Sequence, residues 1–319
     1  MRQLKDWLVY LLVRCFVCLI QAVSLETCQT ISRWLAWLAC DVIGLRRSTV
    51  DDNIRHVYPE ATVYQRNWLA RRMWEHLFLM VCEIAQAPRK IHETNWRRFV
   101  RIPGKRKAIK YLLDQRPLVL VSGHFGNFEL TSYMVGLLGF PTYAIARKLD
   151  NAFLDRYINR FRSANGQFIL PKDGSAAQVD AVLRSGRAIA LLGDQSAGPK
   201  GCWVDFLGRP ASCHKAVALF TLVSHAPLLV CYGRRYGGPL EIELGVEAIA
   251  DPQQGGDELA GVKPLTRWYN AALERIILAD PDQYWWVHRR WKGDPARRRR
   301  KPKSAGEATS PPKATRHAA

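Results

Sequence analysis

The chain has 319 residues, of which 48% are hydrophobic, so it can bury one large core or two modest ones and is not disordered as a whole. Its formal net charge is +19; residues 297–319 contribute eight Lys or Arg and one Glu, a net of +7, which leaves +12 for the rest. A basic protein can seek nucleic acid, an anionic membrane or an acidic substrate, and charge alone does not choose between them. Eleven Trp favour a membrane interface, where indole rings are stabilised.

Eight cysteines are scattered along the chain without a paired framework. Four of them lie in the first forty residues, within apolar stretches, which predicts reduced thiols and a protein that faces the cytosol. Cys15 and Cys18 have C-x-x-C spacing, but no second ligand pair accompanies them. We therefore predict no metal site.

The amino-terminal segment Trp7–Val23 is apolar except for Arg14 and Gln21, and its 17 residues are at the short limit for a membrane-spanning helix. Arg14 makes clean spanning costly, and no convincing cleavage site for a signal peptide follows. We expect an uncleaved helix that anchors in a bilayer or lies along it, with a second such helix at Ile31–Leu45. The alternative is that both helices are buried in a soluble core.

The next part of the chain is expected to be helical and then strongly basic. Ile54–Gln86 has helical spacing of apolar residues, interrupted at Tyr58–Glu60, and is typical of packing helices. Arg89–Lys110 is rich in Arg and Lys. This segment is either a surface that binds anionic lipid or an acidic carrier protein, or it is a solvated face without a partner.

From Pro117 onward, predicted strands alternate with predicted helices. The strands are Leu118–Val121, Thr142–Ala146, Phe168–Leu170, Ala188–Leu192, Leu228–Tyr232 and Leu240–Gly245, and the helices are Phe128–Leu138, Phe153–Ala164, Ala176–Arg184 and Lys215–Ser224. This alternation predicts an α/β fold, a layered domain around a mostly parallel sheet. We divide the chain into membrane-anchoring helices at 1–45, the α/β domain at 46–295 and a basic disordered tail at 296–319.

The stretch Pro117–Glu129 ends a buried strand with a potential base and a carboxylate. His124 falls in the turn at the carboxyl edge of the sheet, where open α/β folds place ligands. Glu129, in the first turn of the next helix, is predicted to fold back, orient the imidazole and stabilise its protonated form. The alternative is that His124 caps a strand end and that Glu129 responds only to the helix dipole.

Two further strand ends carry polar groups, Arg147 after one strand and Asp194–Gln195 after another. Arg162, on the helix between them, adds a second cation. Arginine binds phosphate bidentately, so these residues are candidates for substrate binding, although a single Arg is more often a structural ion-pair partner. P-loop, G-x-S-x-G and H-E-x-x-H patterns are absent, so no covalent nucleophile is evident.

The segment Asp282–Lys292 mixes aromatic and basic residues, which suits stacking on nucleobases or a lipid headgroup boundary. The basic run Arg297–Lys303 is expected to be disordered and to grip anionic lipid.

Several motifs together resemble one family, the late acyltransferases of lipid A biosynthesis, of the lauroyl- and myristoyl-transferase type within the lysophospholipid acyltransferase superfamily. The matching segments are the H-x4-[DE] signature at His124–Glu129, the G-D-Q block at Gly193–Gln195, Phe206–Gly208 with Pro210–Ala211, the Q-Y-x-W-x-H-R-R-[FW]-K ending at Gln283–Lys292, Arg162 with Gly166, and Asn53 with Tyr58–Glu60. The resemblance spans nearly the whole chain.

The resemblance implies a membrane-bound O-acyltransferase at the cytoplasmic face of the inner membrane. His124 and Glu129 would be the catalytic pair that activates a hydroxyl of a lipid A precursor or similar glycolipid. The donor would be acyl carrier protein or acyl-CoA, used as co-substrate with no other cofactor. Substrate-binding residues would be Arg147, Arg162, Asp194, Gln195, Arg289 and Arg290.

Two segments depart from the family pattern. Ala146–Ala152 keeps Arg147 and Asn151 but lacks both prolines of the family's Y-R-P-x-x-N-P segment, and Ser196–Cys202 is also unlike the best-known members. Alternatives therefore remain open. The enzyme could instead acylate a lysophospholipid or another lipid. The protein could also be an inactive membrane scaffold, or a basic protein that binds nucleic acid, although nucleic-acid binding leaves His124 and Glu129 without a role.

Overall fold

The computed structural model describes residues 2–172 and 174–293. The predicted basic tail at 296–319 lies outside the described residues. The helices are α1 Arg2–Ala22, α2 Leu25–Trp37, α3 Arg47–Val57, α4 Val63–Lys90, α5 Lys105–Leu113, α6 Phe128–Leu137, α7 Ala152–Ser163, α8 Ala176–Arg184, α9 Ala216–Ser224 and α10 Val262–Ala279. The strands are β1 Val100–Arg101, β2 Leu118–Ser122, β3 Thr142–Ala146, β4 Gln167–Pro171, β5 Ala188–Leu192, β6 Cys202–Phe206, β7 Arg209–Cys213, β8 Leu228–Arg235 and β9 Ile242–Ala250.

Within the described residues, seven strands form the central sheet in the order β1-β9-β8-β2-β5-β3-β4. The pairs β8-β2, β2-β5, β5-β3 and β3-β4 are parallel, whereas β9 runs antiparallel to β8. Central β2 is buried, with Val119 and Val121 fully enclosed, as expected for a parallel strand covered on both faces. The prediction of a layered α/β fold with a mostly parallel sheet is confirmed.

Five elements were missing from the expectation. Two are β1 and α5, within the basic stretch, where charged residues hide the short pattern. The β6–β7 hairpin follows β5 and lies apart from the main sheet. The last is α10, whose buried face includes Leu265, Tyr269, Leu273 and Ile276 at helical spacing.

The amino-terminal helices lie on the outside of the α/β layers and pack mainly on α4. Within α1, Ile20 is the buried side chain, and it contacts Cys28, Leu79 and Cys82. The second helix begins at Leu25, earlier than expected, and continues through a π-helical turn at Leu38–Val42. The extensive exposure of α1 disagrees with the alternative that it is a buried core helix.

Arg14, the charge that interrupts the apolar run of α1, has partners at the surface. Its guanidinium donates to Tyr10 Oη at 3.0 Å and lies 4.9 Å from the ring centre of Tyr157 on α7. Asn151, at the start of α7, also donates to the carbonyl oxygen of Asp6 at 2.8 Å. Within the described residues, no helix has the combination of length and hydropathy needed to cross a membrane.

Candidate active site

The site lies where β2 and β5 end side by side at the carboxyl edge of the sheet. Ser122 and Leu192 are paired in the parallel register, and each strand is followed by a glycine and then a polar residue. His124 and Asp194 therefore lie at the same offset beyond neighbouring strands, and their side chains meet. The register of the sheet, rather than closeness in the sequence, brings this pair together.

Asp194 holds His124 through two hydrogen bonds. Oδ1 of the carboxylate lies 2.8 Å from His124 Nδ1, and Oδ2 accepts from the His124 backbone N–H at 2.8 Å. Asp194 is completely buried. Burial alone would raise the pKa of Asp194, but the charge and hydrogen bonds of His124 outweigh it and lower the pKa to about 2. The Asp194 carboxylate is thus ionised. It accepts a hydrogen bond from Nδ1–H and so favours the tautomer of a neutral imidazole that carries its proton on Nδ1.

The other imidazole nitrogen is directed toward Gln195. His124 Nε2 lies 3.2 Å from Gln195 Nε2, so the amide N–H donates to the ring lone pair. Gln195 itself is exposed. A substrate hydroxyl that displaces this amide would meet an unprotonated nitrogen, the arrangement that a general base requires.

Aromatic rings surround the imidazole on its remaining sides. The ring centres of Phe128, Trp285 and His288 lie 5.0, 5.2 and 4.5 Å from that of His124. Burial and the charge of His124 lower the pKa of His288 to about 4, so this second imidazole is neutral at neutral pH. Its Nε2 is enclosed and has no hydrogen-bond partner among the described residues. These rings shield the base from water.

Glu129 binds Arg162 and does not orient His124, which corrects the expectation for this pair. Arg162 Nε donates to Glu129 Oε2 at 3.0 Å, and Arg162 Nη2 donates to Oε1. Glu129 lies in the first turn of α6, facing α7, and the planar guanidinium of Arg162 donates to both of its oxygens. Asp194 already accepts from both donors of His124, so the imidazole has no need of Glu129. Whether Glu129 and Arg162 serve in catalysis and substrate binding stays a prediction.

The three remaining arginines differ in their surroundings. Arg147 is largely exposed and pairs with Asp150 at 3.2 Å, and Arg289 is also exposed. Their substrate-binding roles stay predictions. Arg290 is only 1% exposed, which contradicts its predicted direct role in substrate binding.

Arg290 instead joins the β6–β7 hairpin to α10. Its guanidinium donates to the carbonyl oxygen of Ser212 at 2.9 Å and to Asn270 Oδ1 at 3.3 Å, and it lies 4.6 Å from the ring centre of Phe206. A side chain enclosed in this way tightens the fold beneath the site and cannot reach a substrate without rearrangement.

Comparison with known proteins identifies the family. The profile of the family described as bacterial lipid A biosynthesis acyltransferase matches residues 1–293. The chain belongs to this family. It is therefore an acyltransferase, and the resemblance found in the sequence motifs is confirmed.

Individual relatives are distant. The chain is 23% identical over 267 residues to the lipid A biosynthesis lauroyltransferase of Escherichia coli (strain K12), covering 82% of this chain and 84% of that protein. It is 23% identical over 259 residues to the palmitoleoyltransferase of the same organism, covering 78% and 80%. The crystal structure of the 1-acyl-sn-glycerophosphate (LPA) acyltransferase from Thermotoga maritima covers 76% of this chain and 99% of its own, with 14% identity and a TM-score of 0.37.

The segments that resemble this acyltransferase family converge on the site. Asn53 donates to the carbonyl oxygens of Trp286 and His288 at 2.7 and 2.8 Å, so α3 fixes the loop that carries His288. Trp285 N–H in turn donates to the carbonyl oxygen of His124 at 3.1 Å. The aromatic and basic ending is thus part of the wall around the imidazole.

Two residues next to the base in this acyltransferase, Asp194 and His288, have positions that the sequence analysis does not predict. The family resemblance predicts that Asp194 binds substrate, although the equal offset of Gly123–His124 and Gly193–Asp194 after their strands is a readable signal that these two side chains meet. His288 was within a recognised motif but received no role. Within the described residues, no group of His, Cys, Asp or Glu is arranged to hold a metal ion.

Proposed function

We propose that this protein transfers a fatty acyl chain from an acyl carrier protein or acyl-CoA thioester to a hydroxyl of a lipid A precursor or a similar glycolipid. The observation that carries the proposal is the 2.8 Å contact between His124 Nδ1 and Asp194, with Nε2 directed to the exposed Gln195. Family membership supplies the reaction class. No further cofactor is needed for this chemistry.

The reaction is a direct acyl transfer with His124 as the base. Nε2 takes the proton of the acceptor hydroxyl as its oxygen attacks the thioester carbonyl, and Asp194 stabilises the imidazolium that forms. The tetrahedral intermediate then collapses, the carbon–sulfur bond breaks, and the leaving thiolate takes the proton from Nε2. Because the acceptor oxygen attacks the donor thioester itself, the acyl chain is never bonded to the protein.

Glu129 and Arg162 are proposed to serve the substrate rather than the base. Arg162 is about one-fifth exposed and lies on α7, next to the helix that carries Phe128. Its bidentate ion pair fixes the guanidinium plane, which leaves the remaining N–H group able to bind a phosphate or carbonyl oxygen. In this proposal Glu129 contributes to catalysis by holding Arg162 in place.

A membrane location fits the exposed apolar side chains of the amino-terminal helices. On α1 and the helix that follows, large apolar side chains that are well exposed include Leu4, Leu8, Leu12, Leu19, Ile31, Trp34, Val42 and Ile43. Large apolar side chains exposed together on neighbouring helices are typical of an interaction surface. We propose that these helices lie in the cytoplasmic leaflet of the inner membrane and bring the site to a lipid acceptor.

The decisive experiment is a product assay with paired donors and acceptors. Purified protein in mild detergent is incubated with acyl carrier protein thioesters of several chain lengths or the matching acyl-CoA, and with a lipid A precursor or a lysophospholipid. Mass spectrometry of the extracted lipids is expected to show one added acyl chain on the lipid A precursor. If only the lysophospholipid is acylated, the proposed acceptor is wrong and a lysophospholipid takes its place.

The matched variant for this assay is His124→Ala. A general base contributes ~10²–10⁴-fold, so we expect a loss of that order in kcat. Near-normal turnover by His124→Ala would eliminate the proposed mechanism.

A further inference from the structure

The turn His124–Asn127 is held by the backbone at nearly every position. The Gly126 N–H donates to the carbonyl oxygen of Gln283 at 2.9 Å, and the Asn127 N–H donates to that of Gly233 at 3.1 Å. Gly126 has φ +56°, and a Cβ there would overlap the carbonyl oxygen of Gly233. The main chain that carries the base therefore sits directly against β8, with no room for adjustment.

Behind this turn lies a buried ion pair that the proposed reaction does not use. Glu83 on α4 is fully enclosed, and it accepts from Arg235 Nε and Nη2, both at 2.7 Å. Glu83 also accepts from Asn127 Nδ2 at 2.9 Å and from the Leu240 N–H at 3.0 Å. Four donors thus converge on one carboxylate, and one of them belongs to the turn.

A histidine completes the connection between the ion pair and the turn. Arg235 Nη1 lies 2.9 Å from His76 Nδ1, and His76 Nε2 lies 3.1 Å from the carbonyl oxygen of Gly126. Burial and the charge of Arg235 lower the pKa of His76 to about 3, so its ring is neutral. Nδ1 then accepts from the guanidinium, and Nε2–H donates to Gly126. His76 and Glu83 are seven residues apart, on the same face of α4.

Resting on the proposed function, we infer that Glu83, Arg235 and His76 are positioning residues, a buried polar clamp that sets the backbone of the His124 turn for proton transfer. The clamp contacts the turn at two points, the Gly126 carbonyl and the Asn127 side chain. Asn127 also caps α6, since its Oδ1 accepts from the Leu130 N–H at 3.0 Å. A displacement of the clamp would therefore move the turn and the start of α6 together.

The chemistry of the clamp favours a geometric role over a stabilising one. Replacing a buried ion pair by apolar side chains of similar volume is often neutral or favourable for stability, because burial of both charges is costly. Charged hydrogen bonds, however, fix direction as well as distance. Misplacing a reacting group by about 1 Å can cost ~10²-fold in rate, so the geometry itself has a large effect on turnover.

The test replaces the pair as a unit and compares it with an ion pair elsewhere. In Glu83→Met/Arg235→Met we expect normal expression and a cooperative unfolding transition, a fall in kcat of about 10–100-fold, and a KM within about threefold of the parent. The control is Arg116→Met/Asp251→Leu, which removes another ion pair, made by contacts of 2.7 and 3.2 Å, just before β2 at the opposite edge of the sheet. We expect kcat of the control to remain within about twofold.

A second series isolates the contact with the turn. His76→Leu removes the donor to Gly126, whereas His76→Gln keeps an amide N–H near the position of Nε2. We expect kcat to fall about tenfold in His76→Leu and to be largely restored in His76→Gln, with both proteins folded.

The outcomes separate this inference from the proposed function. A folded Glu83→Met/Arg235→Met protein with parental kcat, or a His76→Gln protein no better than His76→Leu, would overturn the clamp while His124→Ala still abolishes turnover. An active His124→Ala would instead defeat the proposed mechanism, and the positioning role with it. Equal losses in the Arg116→Met/Asp251→Leu control would show that the effect is global stability.

Discussion

At His124, each ring nitrogen has a different partner and a different task. Nδ1 faces the buried carboxylate of Asp194, and Nε2 faces the amide of Gln195. Because Asp194 stays ionised at all ordinary pH values, the tautomer with a free Nε2 lone pair is favoured. The residue that orients the base therefore comes from a distant strand and not from the helix next to it.

The two carboxylates of the site should differ sharply when neutralised. Asp194→Asn removes the charge that stabilises the imidazolium, so kcat should fall by ~10²–10⁴-fold with little change in KM. Glu129→Gln loosens Arg162 instead and should act mainly on KM. Steady-state kinetics with one donor and one acceptor distinguishes them. A larger loss of kcat in Glu129→Gln than in Asp194→Asn would restore the original pairing of Glu129 with His124.

The coupling between Glu129 and Arg162 is a further check on that assignment. If both act through their ion pair, then Glu129→Gln/Arg162→Gln should be no worse than Arg162→Gln alone.

The buried imidazoles predict an acid-sensitive fold. The pKa of His76 is lowered from 6.5 to about 3, and that of His288 from 6.5 to about 4. Below pH 6.5 the unfolded chain binds protons that the folded chain does not, so stability falls as pH drops through these windows. Each group contributes about 1.4 kcal/mol per pH unit within its window.

Urea denaturation at intervals between pH 7 and pH 4 measures that slope. His76 lies against Arg235, Glu83 and Arg72, and it stays neutral in the folded protein, whereas the unfolded chain takes up a proton at this position below pH 6.5. His76→Gln should flatten the dependence by about 1.4 kcal/mol per pH unit. An unchanged slope would show that His76 is protonated in the folded state.

At the scale of elements, the turn between β2 and α6 depends on a close approach to β8. Gly126 and Gly104 both have positive φ, of 56° and 63°, but a Cβ at Gly104 meets nothing within 4 Å. Gly104→Ala should therefore cost only the conformational strain, about 1–2 kcal/mol. Gly126→Ala adds a backbone overlap, so it should lower the free energy of unfolding by roughly 1–3 kcal/mol more than Gly104→Ala does. It should also lower kcat, because the overlap displaces the turn that carries His124. Thermal unfolding measures the loss of stability in both variants. Equal losses would mean that the turn can shift enough to accommodate a Cβ at position 126.

The helices around the site are joined by side chains and not only by the sheet. Tyr133 on α6 stacks on Phe161 of α7 with ring centres 5.9 Å apart, next to the pair of Glu129 and Arg162. On its other side α7 contacts α1 through Tyr157 and Arg14. One helix thus connects the amino-terminal segment with the substrate side of the site.

At the scale of the whole molecule, the amino-terminal helices carry the exposed apolar side chains on which the proposed membrane contact depends. The division into anchoring helices at 1–45, an α/β domain at 46–295 and a tail stays a prediction, as does the exclusion of nucleic acid. The inner-membrane location and the acyl carrier protein partner are proposals, and the exposed apolar side chains of the amino-terminal helices support the first of them.

Leu12 and Leu113 offer a matched pair for testing membrane contact, because their exposed fractions are 71% and 69%. Leu12 is on α1 and Leu113 ends α5. A charge placed in lipid costs roughly 2–3 kcal/mol, so Leu12→Glu should weaken co-sedimentation with anionic phospholipid vesicles by tenfold or more. Leu113→Glu should bind like the parent. Equal binding by all three proteins would argue against α1 as the membrane contact.

Much of the architecture is encoded locally and was predictable. The apolar runs of β2, β3 and β5 and the helical spacing of α8 have the predicted bounds or lie within one residue of them. Local propensity decides such elements, because a buried strand between turn residues has few alternatives. The family resemblance was equally readable, since its motifs are linear.

Pairing across the sheet was decided only by the tertiary structure. The sequence by itself determined the α/β class, the family and His124 as the candidate base. The register of β2 and β5 brings Asp194 into contact with His124. Arg162 on α7 binds Glu129, and the β6–β7 hairpin buries Arg290. Partners at sequence separations of 33 to 78 residues meet through strand order and packing, which no local pattern records.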